Sequence, residues 1–135
     1  MGIEISEGLY GNEINEVEVC PYLFYSISVN SDMKVSACFV DWSRELTIGD
    51  LRNESLQSIW NGPKLASHRL SHLELKRKNH KVCGSCGQIS HCGPDNIDSD
   101  REYLLERMTT LGKSYHLDES ILKQYAFPTI HLKKI

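Results

Sequence analysis

Cysteine is the residue type with the most chemistry to offer in this chain, and there are five: Cys20, Cys38, Cys83, Cys86 and Cys92. Cys83 and Cys86 form a C-x-x-C knuckle around Gly84 and Ser85, and Cys92 follows after five further residues. Paired thiolates on a tight turn, facing distant thiolates on a rigid hairpin, can close a four-sulfur site. Its occupant would be either an iron–sulfur cluster or a tetrahedral zinc ion. Two other readings compete. Free cysteine is among the most buried residue types, so any of the five could be core packing. A thiol redox role for Cys83 and Cys86 would need a strand–helix setting that lowers a nucleophile's pKa, and the knuckle lacks that pattern. The odd cysteine count favours metal or redox chemistry over a disulfide framework.

Short elements must position these sulfurs. Residues 1–19 are acidic and weakly patterned, and read as an entry arm with room for one short strand. Leu23, Tyr25, Ile27 and Val29 alternate with Phe24, Ser26 and Ser28, the period of a strand. Asn30-Ser31-Asp32 is turn chemistry. Met33, Val35, Ala37 and Phe39 then alternate with Lys34, Ser36 and Cys38, which predicts a β-hairpin with Cys20 and Cys38 at its ends. A connection through Trp42 leads to an Ile48-Gly49-Asp50 turn. A helix over 51–60 follows, with Asn53 as N-cap and Glu54 in its first turn. Asn61-Gly62-Pro63 breaks it, and Pro63 opens a second helix to about Lys76, with Leu65, Leu70 and Leu73 buried. Residues 83–94 show neither period and read as a loop held by ligands. Asp98-Ser99-Asp100 opens a helix with a Leu104, Met108, Leu111 stripe and Gly112 as its stop. Asp118 caps a last short helix to Tyr125, ended by Pro128, and the tail from Leu132 to Ile135 is expected to fray.

The 135 residues are 40% hydrophobic and 24% charged, the composition of one globular domain. Such a chain buries roughly two-thirds of its unfolded surface. A net charge of −3 supplies no electrostatic reason to bind nucleic acid or an anionic membrane. No apolar run approaches the roughly 20 residues of a membrane helix. The acidic start does not resemble a secretory signal, and Gly2 with Ser6 falls short of a myristoylation motif. A cytoplasmic location is therefore expected, where thiols stay reduced.

Other polar and aromatic residues have plainer readings. His68 and His72 lie four apart on the second helix, and read as a surface pair. His80 and His91 flank the cysteine loop, and either could replace a cysteine on zinc. Trp42 and Trp60 read as packing against the hairpin. Lys76-Arg77-Lys78, continued by Lys81, reads as a solvated helix end that could also dock an acidic partner.

The stretch from Cys20 to Cys92 resembles the SPASM domain, the auxiliary iron–sulfur domain that follows the barrel in many radical S-adenosylmethionine enzymes. Cys20 is followed by twelve residues, Met33, four residues and Cys38, where the family has a cysteine, a hairpin glycine and a second cysteine. Ile48-Gly49-Asp50 and Ser55-Leu56-Gln57-Ser58-Ile59-Trp60 match the family's Gly turn and Trp helix. Cys83, Cys86 and Cys92 match its C-x2-C-x5-C close.

The departures shape what the resemblance implies. Met33 stands at the hairpin glycine, which predicts a differently shaped turn. Asn96 stands where the two-cluster pattern has its next cysteine, and two all-cysteine clusters would need more thiolates than the five present. The resemblance thus implies a short, single-cluster version. Its [4Fe–4S] ligands would be Cys20, Cys38, Cys83 and Cys86, with Cys92 a spare or substitute ligand. It also implies an α+β fold: a small β-hairpin, short helices, a cysteine-rich loop and C-terminal helices. The expected division is an arm over 1–19, the cluster domain over 20–96 and a helical extension over 97–135. No C-x3-C-x2-C motif is present, so the chain by itself is not expected to generate a radical. The implied partners are a radical barrel, in the same parent chain or a separate protein, and a peptide or protein substrate. The runner-up reading is a zinc-stapled interaction module with no redox role.

Overall fold

The alternation around Met33 to Phe39 does produce a hairpin, shorter than the pattern suggests. The computed structural model describes residues 16–91, 95–114, 117 and 119–125. Strand β1 (Ser28–Val29) pairs antiparallel with β2 (Lys34–Ser36), and β2 pairs with β3 (Thr47–Asp50), in the order β1-β2-β3. Six short helices complete an α+β fold: α1 (Tyr22–Tyr25), α2 (Leu56–Trp60), α3 (Pro63–Leu73), α4 (Gln88–His91), α5 (Arg101–Ser114) and α6 (Glu119–Gln124). Cys92, Asp118, Pro128, the 132–135 tail and most of the entry arm lie outside the described residues, as does the side chain of Leu111. No helix among the described residues is long and apolar enough to cross a membrane.

Several elements differ from the sequence reading, among them helix α4, which lies within the 83–94 stretch read as an irregular loop. Residues 22–25 form a helical turn where a strand was expected. Pro21 at its N-cap has φ −68, the angle its ring prefers, and Phe24 N–H bonds to the Pro21 carbonyl at 2.9 Å. Ile48-Gly49-Asp50, expected as a turn, lies in strand β3. Val35 pairs with Gly49 and Ser36 with Thr47, so Ile48 is an extra residue on β3. This bulge lets Ile48 and Gly49 both be buried.

Gly49 is where the sheet meets α2. A Cβ there would stand 2.5 Å from Ile59 Cγ1. Helix α2 starts later than expected because Ser55, not Asn53, is its N-cap: Ser55 Oγ accepts from Ser58 N–H at 3.1 Å. Helix α3 begins at Pro63 as read, but stops at Leu73. Leu75 takes φ 62, its N–H bonds to His72 O at 3.0 Å, and Lys76 N–H bonds to Ser71 O at 2.8 Å. That is a Schellman motif, built on leucine where glycine is usual. It turns the chain back on itself, so Arg77 enters the protein and is only 7% exposed. Helix α5 runs through Gly112 to Ser114 without stopping.

Val19, Leu23, Val35, Ala37, Leu46, Ile59, Leu65, Leu73 and Ile89 form the core, and Cys20 belongs to it. Helices α5 and α6 pack on α3, tied by Arg101 Nη1 to Leu73 O (3.0 Å) and Ser67 Oγ to Leu122 O (2.6 Å). Trp42 does not pack against the hairpin: it is 90% exposed. Trp60 is half-buried beneath the Arg69 guanidinium, 4.4 Å from its ring centre.

Candidate metal centre

Cys20, Cys38, Cys83 and Cys86 line one hollow, although up to 66 residues of sequence separate them. Cys20 is buried and the other three are half-buried. The remaining wall is mostly apolar, from Leu23, Ala37, Val40, Leu46, Val82 and Ile89, with His72 and Arg77 as its polar members. The centre of a water molecule can occupy about 30 Å³ of it. A true gap therefore separates the sulfurs, since one water needs only roughly 10–15 Å³. The donor set is all soft sulfur in a water-poor wall, and it fits an iron–sulfur group.

Each cysteine segment has its own anchor. Cys20 follows Val19 on the arm before α1, and its N–H donates to His72 Nδ1 at 3.1 Å. That bond places the His72 proton on Nε2. The two preceding amides, of Glu18 and Val19, donate to the Asp98 carboxylate at 3.0 and 2.9 Å. After Cys20, the chain enters the helical turn of α1 (Tyr22–Tyr25). Cys38 leaves β2 beside Ser36, whose Oγ accepts from Cys38 N–H at 3.3 Å and donates to Asp41 Oδ2 at 2.9 Å. Asp41 is buried and also accepts from Leu46 N–H (2.8 Å) and Glu45 N–H (3.1 Å), which pins the loop after Cys38.

The knuckle forms a 3₁₀ turn over Cys83–Ser85. Val82 and Cys83 N–H groups donate to His80 Nδ1, at 3.1 and 3.4 Å. A Cβ at Gly84 would stand 2.7 Å from the Lys78 carbonyl oxygen, so only glycine lets the turn pack this closely. Gly84 N–H is already bonded to His80 O at 2.7 Å. Arg77 closes the arrangement, donating to Cys83 O (2.8 Å), Glu18 O (3.2 Å) and Val17 O (3.2 Å). It thus ties the knuckle to the arm that carries Cys20.

Electrostatics follow from the shared, water-poor wall. Burial above all, then the other cysteines, pushes the Cys83 thiol up to about 12. Burial does the same to Cys20, up to about 11, against the pull of the Tyr22 and Leu23 amides. Cys38 is also raised, chiefly by burial. These thiols stay protonated at neutral pH until a metal displaces their protons.

The histidines do not behave as a surface pair. His72 is 1% exposed, and burial, then the Arg77 charge, lowers its pKa to about 3. His68 packs edge-on against His80 with ring centres 6.0 Å apart. Neither His80 nor His91 lines the cysteine hollow; His91 Nδ1 lies 3.0 Å from Gly87 O. Lys76-Arg77-Lys78 is not a solvated run, because its middle member is buried. His72, Arg77, Asp41 and Asp98 have no local motif to reveal them, since each acts on a residue brought near only by folding or on plain backbone. Met33 is a different case. It adopts φ 66, the left-handed conformation that glycine takes without cost, so the turn keeps a glycine-type backbone despite the substitution.

The site is a cysteine-lined hollow whose thiols come from the arm before α1 (Cys20, expected at a hairpin end), the end of the hairpin (Cys38) and the knuckle (Cys83 and Cys86). The family model named SPASM, an iron–sulfur cluster-binding domain, matches residues 20–88, half the chain. The chain belongs to that family. Comparisons with curated proteins and with solved structures return no match.

Proposed function

We propose that Cys20, Cys38, Cys83 and Cys86 hold one [4Fe–4S] cluster, and that the chain serves as the auxiliary domain of a radical S-adenosylmethionine enzyme acting on a peptide or protein. The carrying observation is that four thiols from separate segments line one mostly apolar hollow. The family match to an iron–sulfur cluster-binding domain favours a cluster over zinc. A single zinc needs four donors converging on one point at about 2.0–2.3 Å. A four-iron cluster asks each thiolate to reach a different iron, so its ligands stand apart.

A fully thiolate-ligated cluster supplies one-electron transfer, with no open coordination position for substrate. The chain's residues would bind it and keep water from the Cys20 sulfur, which is buried, while the other three cysteines are half-buried. The radical would be made at a barrel elsewhere, in the same parent chain or a separate protein, within a reducing cytoplasm. This chain would relay an electron and help dock the substrate.

The test is to purify the chain without oxygen, then measure iron, sulfide, zinc and the absorption spectrum. About four irons with matching sulfide per chain support the proposal. One zinc without sulfide after anaerobic reconstitution overturns it in favour of a structural staple.

A further inference from the structure

Arg77 is the buried cation in the wall of the site, and no ligand role accounts for it. It is 7% exposed and lines the same hollow as the four cysteines. Its hydrogen bonds, from Nε, Nη1 and Nη2, all go to neutral carbonyls. Among the described residues, no carboxylate forms an ion pair with it. The two well-placed carboxylates are committed elsewhere: Asp98 to the Glu18 and Val19 amides, Asp41 to the loop after Cys38. Burying a cation against carbonyl dipoles alone is costly. Four thiolates around an iron–sulfur core would bring net negative charge into that same wall.

We propose that Arg77 is the internal counter-cation of the cluster and raises its reduction potential. The proposal rests on the ligand reading above. Cluster potential follows net charge, hydrogen bonds to sulfur and solvent exposure. Reduction adds one electron and neither makes nor breaks a bond, so the thiolate-ligated cluster becomes more negative by one charge. A fixed cation in a low-dielectric wall stabilises the reduced state more than the oxidised one.

The test is a potentiometric titration of the full chain, reconstituted with ferrous iron and sulfide, using dithionite as reductant and paramagnetic resonance as readout. Arg77→Lys keeps the charge; Arg77→Gln keeps an amide donor and loses the charge. We expect the lysine protein to stay near wild type. The glutamine protein should lower the one-electron equilibrium constant by roughly tenfold or more, which is about 59 mV. A glutamine protein that folds without metal but fails to retain iron, while lysine retains it, supports the same conclusion. The proposal is overturned if the two variants behave alike, whether in potential, in iron retention or in failing to fold. It is also overturned if the glutamine chain alone is unfolded without metal, because Arg77 is then an anchor for carbonyls. A wild-type chain that takes up no iron and sulfide defeats the ligand reading and this proposal together. A loaded wild type with matching variants defeats this proposal alone.

Discussion

At the residue scale, the sulfurs of the hollow are held by different neighbours, so single substitutions separate their roles. Cys38 is anchored through Ser36 and Asp41, neither of which touches the other cysteines' backbones. Cys38→Ser should abolish the visible chromophore and lower bound iron, measured after anaerobic reconstitution. A serine protein with wild-type iron and sulfide would remove Cys38 from the ligand set. Cys92→Ser, by contrast, should keep its full iron. Met33 offers a stability test. Its side chain is 43% exposed and its φ is 66, so Met33→Gly relieves a left-handed backbone and gives up little packing. Denaturant titration should show a gain of about 0.5–1 kcal/mol, after the extra unfolded-state entropy of glycine is subtracted.

His68 gives the pH dependence. Burial, then the neighbouring His80, lowers its pKa to about 4, against about 6.5 in the unfolded chain. Between those values the unfolded chain binds more protons than the folded one. The stability that neutral His68 contributes is complete above about pH 6.5 and is lost as pH falls toward 4. The slope is at most about 1.4 kcal/mol per pH unit. Comparing unfolding curves from pH 7 to 4, His68→Gln should flatten this fall by up to one proton; an unchanged slope would show that His68 does not report the burial.

At the element scale, the contact between β3 and α2 sets where the sheet ends and the helical layer begins. Gly49 and Ile59 share a space that admits one side chain, and Ile59 is 2% exposed. Gly49→Ala should cost about 1–3 kcal/mol in thermal or denaturant unfolding, as an overpacked site does. Ile59→Val should recover part of that loss in the double variant, because the two positions share one volume. Strictly additive costs would indicate that the strand shifts rather than the isoleucine. The same contact explains why Ile48-Gly49-Asp50 looks like a turn: in a strand, glycine marks the close approach of another element, and the sequence alone cannot tell the two apart.

At the scale of the whole molecule, the arm carrying Cys20 is held by residues 52 to 80 positions further along the chain. Asp98, just before α5, accepts from Glu18 and Val19 across about 80 residues of sequence. Asp98→Ala should destabilise the fold by about 1–3 kcal/mol, by leaving two amides without acceptors. It should also slow iron retention on dilution into chelator. Asp98→Asn, which keeps one acceptor oxygen, should fall between. Equal iron loss rates for wild type and alanine protein would show that Arg77, His72 and the packing of Val17 and Val19 hold the arm without Asp98.

The cysteine knuckle, the hairpin, the Trp60 helix and the proline start of α3 were all legible in the sequence. Each depends on spacing or turn chemistry within about a dozen residues, and such signals survive without knowledge of the fold. The grouping of Cys20 and Cys38 with the knuckle was legible as a possible four-sulfur site from the cysteine pattern, and the family resemblance sharpened it to a ligand set. The tertiary structure decided the rest. It closed α3 on a left-handed Leu75 and so buried Arg77. It turned His72 from a surface residue into the acceptor for the Cys20 amide, 52 positions away. It also left Trp42 exposed, although the sequence assigned it to the core. Side-chain type and local period say what a residue can do. Whether a cation is buried or a histidine accepts a bond depends on long-range packing, in which the partner is a plain backbone group that no motif announces.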